Sequence, residues 1–201
     1  MVSILIPFYN AESTIKKCID SILKQTYKEI YIVLLNDGST DNSKQIVDEY
    51  DDVRIIYNEN DGNKGRGYSR NRLLELSNTE LCCWCDADDY MLPSKIEKQV
   101  KYFNENEDCK FLATEMYDMR NQQIIGLGCN KKTMVESLTL ESLKVSNCIN
   151  HPTVMFKLDI ARNIKFKDNM KANEDWDFYI RLYELGYKVE CVNEALYVYN
   201  L

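Results

Sequence analysis

The amino-terminal half of the chain alternates short, unbroken apolar runs with segments of helical period, and few folds accommodate that alternation. Val2 to Phe8 is almost continuously apolar, as a strand covered on both faces requires. Asn10 follows as a helix-capping residue, and Ile15, Cys18, Ile19, Ile22 and Leu23 recur at helical spacing. Ile30 to Leu35 is a second apolar strand. It leads into the turn Asn36-Asp37-Gly38-Ser39-Thr40-Asp41, where Asp41 is placed to cap a helix carrying Ile46, Val47 and Tyr50. Val53 to Tyr57 is a third strand, Tyr68 to Leu76 a helix and Leu81 to Cys85 a fourth strand. Pro93 suits the first turn of a further helix with Ile96, Val100 and Phe103 facing inward.

This order predicts an α/β fold with a mostly parallel sheet and right-handed crossovers. Ligands of such sheets bind beyond the carboxyl ends of the strands. Asn10, Asp37 and the run Cys85-Asp86-Ala87-Asp88-Asp89 all fall at such ends. Three carboxylates in that run repel one another, and a hard divalent cation, Mg²⁺ or Mn²⁺, is the usual remedy. Such ions keep positions open for substrate phosphates, so the run points to a metal held against a phosphorylated ligand.

The second half is less regular. Phe111 to Met119 and Gln123 to Gly128 read as strands paired across Arg120-Asn121-Gln122. Thr133 to Val145 reads as helix, Pro152 to Lys157 as strand and Asn173 to Leu185 as helix, with final strands at Tyr187 to Val192 and Ala195 to Tyr199. No repeat or linker divides the 201 residues, so one domain is expected, with a nucleotide half to about residue 110 and an acceptor half beyond.

Other classes fit poorly. The net charge of -7 disfavours a nucleic-acid backbone as the principal partner. No apolar run approaches the roughly 18 residues that span a bilayer, and Met1 to Pro7 lacks the features of a signal peptide. The eight cysteines, Cys129 among them, sit largely in apolar runs as small hydrophobes, and a single histidine, His151, leaves no zinc-type ligand spacing. A reducing cytoplasm is expected. Gly65-Arg66-Gly67-Tyr68-Ser69-Arg70 has arginine at the third glycine of a dinucleotide fingerprint and follows the third strand, not the first.

Six segments, in order, carry a specific resemblance: Ser3-Ile4-Leu5-Ile6-Pro7-Phe8-Tyr9-Asn10, Asn36 to Asp41, Asn63-Lys64-Gly65 with Ser69-Arg70-Asn71, Cys85 to Asp89, Asn150-His151-Pro152-Thr153-Val154-Met155-Phe156, and Glu174-Asp175-Trp176-Asp177-Phe178. Together they resemble a family 2 glycosyltransferase of the GT-A fold, the Cys85 to Asp89 run standing at its DxD motif. That resemblance implies a metal-dependent, inverting transfer from a nucleotide-diphosphate sugar, UDP-linked in the common case. It implies that Pro7, Tyr9, Asp37, Asn63, Arg70, Asp86 and Asp88 bind the donor. Asp37 would accept from the base, Asp86 would serve the ribose or sugar side, and Asp88 would ligate Mn²⁺ or Mg²⁺ at the phosphates. Asp89 is expected to cap the helix near Pro93.

Asp175 is the expected base towards the acceptor hydroxyl. At about 100° per residue it shares a stripe with Phe178, Tyr179 and Leu182, while Glu174 turns away. Burial on that stripe would raise a carboxylate's pKa and suit it to proton transfer. The expected acceptor is a saccharide, a lipid-linked glycan or a protein, with nucleic acid a disfavoured alternative. Trp84 is expected in the core, and His151 either in the core or at the acceptor site. A nucleotidyltransferase would need a glycine-rich, basic opening loop where Pro7-Phe8-Tyr9-Asn10 stands. A binding module without activity has no need of Asp88 and Asp175. Relatives of this kind often continue with a lid or a membrane-associated tail beyond the position of Leu201. The chain is therefore expected to be either a minimal enzyme or a catalytic fragment, cytoplasmic or peripheral at the inner face of a membrane.

Overall fold

The computed structural model describes residues 1–128 and 132–201, so Cys129 lies outside the described residues. Strands β1 (Val2–Phe8), β2 (Ile30–Asn36), β3 (Ile55–Glu59) and β4 (Leu81–Trp84) form a parallel block in the order β3-β2-β1-β4. Helices α1 (Ile15–Leu23), α2 (Ser43–Asp48) and α3 (Arg66–Leu76) make the crossovers. β1 is buried on both faces: Leu5 joins one core cluster, Ile4 and Ile6 the other. That is why its sequence is a continuous apolar run.

The sheet continues through β8 (Met155–Lys157), β6 (Phe111–Arg120), β9 (Val189–Asn200) and the short β5 (Tyr90–Met91). β8 is antiparallel to β4 and β6, while β6 and β9 run parallel. β7 (Gln123–Leu127) pairs with β6. Asn121 and Gln122 have φ of 50° and 63°, and this left-handed pair forms the tight turn between β6 and β7. The remaining helices are α4 (Lys95–Glu105), α5 (Lys132–Glu136), α6 (Leu140–Val145), α7 (Leu158–Ile164) and α8 (Glu174–Glu184).

Several expectations need correction. The expected helix over Thr133 to Val145 is two helices, because Thr139 is extended and forms a capping box with Ser142 that starts α6 afresh. The two expected final strands are one. Thr114 pairs with Val192 and Glu115 with Ala195, so a bulge at Asn193 and Glu194 absorbs the break in pattern. Pro152 begins no strand; it lies in a 3₁₀ turn, His151–Thr153, ahead of β8. α7 and β5 have no counterpart among the elements expected from the sequence. Val53 is 95% exposed and precedes β3. Asn10 caps nothing: its φ is 51° and its side-chain oxygen accepts from the Thr40 amide at 2.8 Å. Asp41 precedes α2 by two residues, and its carboxylate accepts from the amides of Ser43 and Glu12, lacing the loops after β1 and β2 together.

Candidate functional site

The order of the strands reverses at β1: β2 lies on one side of it and β4 on the other, all three parallel. In open α/β sheets such a switch point leaves a crevice at the carboxyl ends. Here it is a cavity of about 550 Å³. Pro7, Tyr9, Asp37, Asn63, Arg70, Asp86 and Asp88 all line it. The fold therefore brings together every expected donor-binding residue. Asp175 is not in that lining; it directly follows Glu174, which is bonded to the lining residues Arg66 and Arg70.

Asp37 organises one wall. It is 5% exposed, and its carboxylate accepts from Asn60 Nδ2 at 2.7 Å and from the amides of Lys64 and Gly65, both at 2.9 Å. A carboxylate offers about four acceptor positions, so one is left for a ligand. Asn60 also donates to Ser69 and accepts from Arg72. It stands at the end of β3 as Asp37 stands at the end of β2, and that position was the signal by which it could have been found.

Gly38 lets this wall close. Its φ is +74°, and a Cβ there would lie 2.5 Å from the Gly62 backbone. Gly38→Ala is expected to cost about 2 kcal/mol or more in urea unfolding and to push the 60–65 loop off Asp37. Nucleotide titration should show weaker binding in the folded variant.

The opposite wall carries the charges. Arg70 is buried, not the surface arginine that its helix position alone would suggest. Its Nη1 donates to Glu174 Oε1 at 2.6 Å, and its Nη2 lies 3.8 Å from Asp86 Oδ1. Arg66, also in the lining, reaches the same Glu174 oxygen at 3.1 Å. Burial pushes Asp86 up to about 6, opposed by Arg70 and reinforced by the negative charges of Asp88 and Asp175. Asp88 is exposed and has no ion-pair or hydrogen-bond partner among the described residues. Asp89 does not cap a helix. It is 1% exposed, Oδ1 accepts from the Asn200 amide at 2.8 Å, and burial pushes it up to about 8.

The Glu174-Asp175 pair reverses the helical expectation. Glu174 is 1% exposed, while Asp175 is half-buried and has no ion-pair or hydrogen-bond partner among the described residues. These are the first two residues of α8, after Asn173 in the left-handed region. First-turn side chains lean back towards the amino terminus, which carries Glu174 over to the arginines of α3. Glu174→Gln is expected to lose about 3 kcal/mol in urea unfolding, because it strands the buried Arg70 charge. Adding Arg70→Met should restore part of that loss, where two independent defects would add.

His151 and Trp84 belong to the core. His151 is 3% exposed, stacks 5.0 Å from Trp84 and meets the Tyr179 hydroxyl at 3.0 Å. Burial, then the charges of Arg70 and Arg66, hold its pKa well below the usual value, so it is neutral. Among the lining residues not expected from the sequence are Arg66 and Tyr199. Arg66 stands one helical turn before Arg70, and Tyr199 is the penultimate residue of β9.

A switch-point cavity with an acidic run on one wall and a nucleotide-sized wall opposite defines the GT-A class of sugar-transferring proteins. The profile of glycosyl transferase family 2 matches residues 3–156, and the chain belongs to that family. A glycosyltransferase of Methanocaldococcus jannaschii is 31% identical over 100% of this chain and 71% of its own length. The Escherichia coli UDP-Glc:alpha-D-GlcNAc-diphosphoundecaprenol beta-1,3-glucosyltransferase WfaP is 30% identical over 96% of this chain and 74% of its own length. S. aureus TarS, solved in complex with UDP, superposes with a TM-score of 0.82 at 22% identity, covering 100% of this chain and 60% of that one. That chain is residues 1–349 of TarS; of the longer TarS chain this one covers 36%, and at this identity the likeness is one of fold. No helix among the described residues is long and apolar enough to cross a membrane.

Proposed function

We propose that the protein transfers a sugar, with inversion, from a UDP-linked donor to an acceptor hydroxyl on a saccharide, a lipid-linked glycan or a protein. The carrying observation is the convergence of Asp37, Arg70, Asp86 and Asp88 on one cavity, with the free carboxylate of Asp175 beside it. WfaP takes UDP-Glc and TarS binds UDP, which supports the choice of nucleotide. Tyr9, 47% exposed at the cavity, offers a ring face to the base, and the open acceptor position of Asp37 takes its N–H. Pro7 and Asn63 close that end. Arg66 and Arg70 hold the phosphate end, and Asp86 serves the ribose or sugar side. Asp175 removes the acceptor proton as the hydroxyl attacks opposite the leaving diphosphate.

Asp88 fits a divalent cation. No group of three metal-binding side chains is assembled among the described residues, so one carboxylate would share the ion with phosphate oxygens and water, as Mg²⁺ and Mn²⁺ prefer. Bound there, the ion would supply Lewis-acid neutralisation of charge on the leaving diphosphate. In this reading residues 1–201 work as one unit, donor half and acceptor half together, in the cytoplasm and peripheral to a membrane. The test is a panel of sugar nucleotides with Mn²⁺, read as nucleotide release in the presence of candidate acceptors. Release from UDP-sugars alone is the expected result; release from none, or from GDP-sugars only, overturns the donor assignment.

A further inference from the structure

A second cleft, of about 540 Å³, opens between α1 and β5 and meets the donor cavity at Ser13. Lys16, Lys17 and Lys24 line it, a concentration of cations on a chain whose net charge is -7. Lys16 has only Asp20, at 4.0 Å, for an ion pair, and Lys17 and Lys24 have none among the described residues. The Lys17 ammonium sits 3.8 Å above the Tyr90 ring and 4.0 Å from Met119 Sδ. Met119 pairs in register with Ile124 of β7, so the cleft adjoins the β6–β7 hairpin.

That hairpin is unusually bare. Ile124, Ile125 and Leu127 are 53%, 57% and 52% exposed, and β7 pairs with β6 alone. Gln123–Leu127 carries no charge, and the only charge in its turn is Arg120. Exposed edge strands are ordinarily guarded by charges or proline, and this one is not. Apolar side chains beside unpaired ammonium groups suit the boundary of an anionic bilayer, where acyl chains take the former and headgroup phosphates the latter. Pairing of this edge with a second copy would leave the lysines without a role.

We propose that the lysine cleft and the β6–β7 hairpin together form a docking surface for an anionic lipid bilayer. This surface rests on the membrane-peripheral placement above; vesicle binding needs no sugar donor, so it and the sugar-transfer reading fail separately. The experiment is co-flotation of the full chain with phosphatidylcholine vesicles, with and without about one-third phosphatidylglycerol. The protein should float only with the anionic vesicles and be released at about 0.5 M salt. Lys17→Gln with Lys24→Gln should weaken binding about 30-fold. Ile125→Ser with Leu127→Ser should weaken it about tenfold or more, both variants keeping wild-type circular dichroism. Binding that ignores lipid charge, binding unaffected by either pair of substitutions, or no binding at all overturns the assignment. So does a wild-type dimer that Ile125→Ser with Leu127→Ser converts to monomer without any effect on vesicles.

Discussion

Asp175→Asn is expected to reduce transfer by about 10²- to 10⁴-fold, the usual contribution of a positioned general base, while UDP-sugar affinity stays at the wild-type level. Two carboxylates stand together at the start of α8, and their surroundings separate their roles. Glu174 is buried and committed: one of its oxygens receives both Arg70 and Arg66. A carboxylate already bonded to two guanidinium groups is held in place by them. Asp175 is half-buried, beside Asp86, and has no such commitment among the described residues. Only its carboxylate is free to take a proton next to the donor cavity. Asparagine keeps size and polarity but cannot act as the base, and a half-buried position without partners should change stability by no more than about 0.5 kcal/mol. Isothermal titration with the sugar nucleotide and a transfer assay separate binding from chemistry. If the variant retains more than about a tenth of wild-type turnover, the base lies elsewhere. If it loses donor affinity instead, Asp175 belongs to the donor wall.

Much of the fold was readable because its first half obeys one rule. A parallel strand buried on both faces needs an apolar side chain at nearly every position, and β1 and β2 have them. The residues beyond the carboxyl ends of β1, β2 and β4 then had nowhere to go but the switch-point crevice, which is why Asp37 and the acidic run could be placed there from order, while their separate roles came only from the family resemblance. What could not be read depended on partners distant in sequence. Periodicity turned Glu174 outward, since it has no way to register two arginines about a hundred residues earlier that draw the carboxylate in. Asn10 and Asp41 have the chemistry of helix caps, but Asn10 found a backbone amide across the neighbouring loop instead, and Asp41 accepts both from such an amide and from that of Ser43 at the start of α2. β9 looked like two strands because register shifts leave Asn193, Glu194 and Leu196 without partners on β6, and only the register against β6 reveals the continuity. Arg70 is the sharpest case. Arg70 and Arg72 stand two residues apart on α3, yet one is buried across the cavity wall and the other reaches Asn60.

Asp88→Asn should remove the metal dependence of donor binding. In wild type, Mn²⁺ is expected to tighten the sugar nucleotide by at least about tenfold, or 1.4 kcal/mol, over the same titration in chelator. In the variant the two titrations should coincide, at the wild-type chelator value. Asp89 is buried and bonded to the Asn200 amide, so it cannot turn to the cavity without breaking β9. Asp86 lies 3.8 Å from the Arg70 guanidinium, and that neighbour already meets part of its charge. Asp88 alone is exposed in the cavity with no cation beside it among the described residues. Its charge is also one of the two that push Asp86 upward, so neutralising it relieves the wall and should not unfold it. A variant that unfolds would place Asp88 in the scaffold. A folded variant that keeps its response to Mn²⁺ would move the ion to Asp86, the only other carboxylate of the run in the cavity lining.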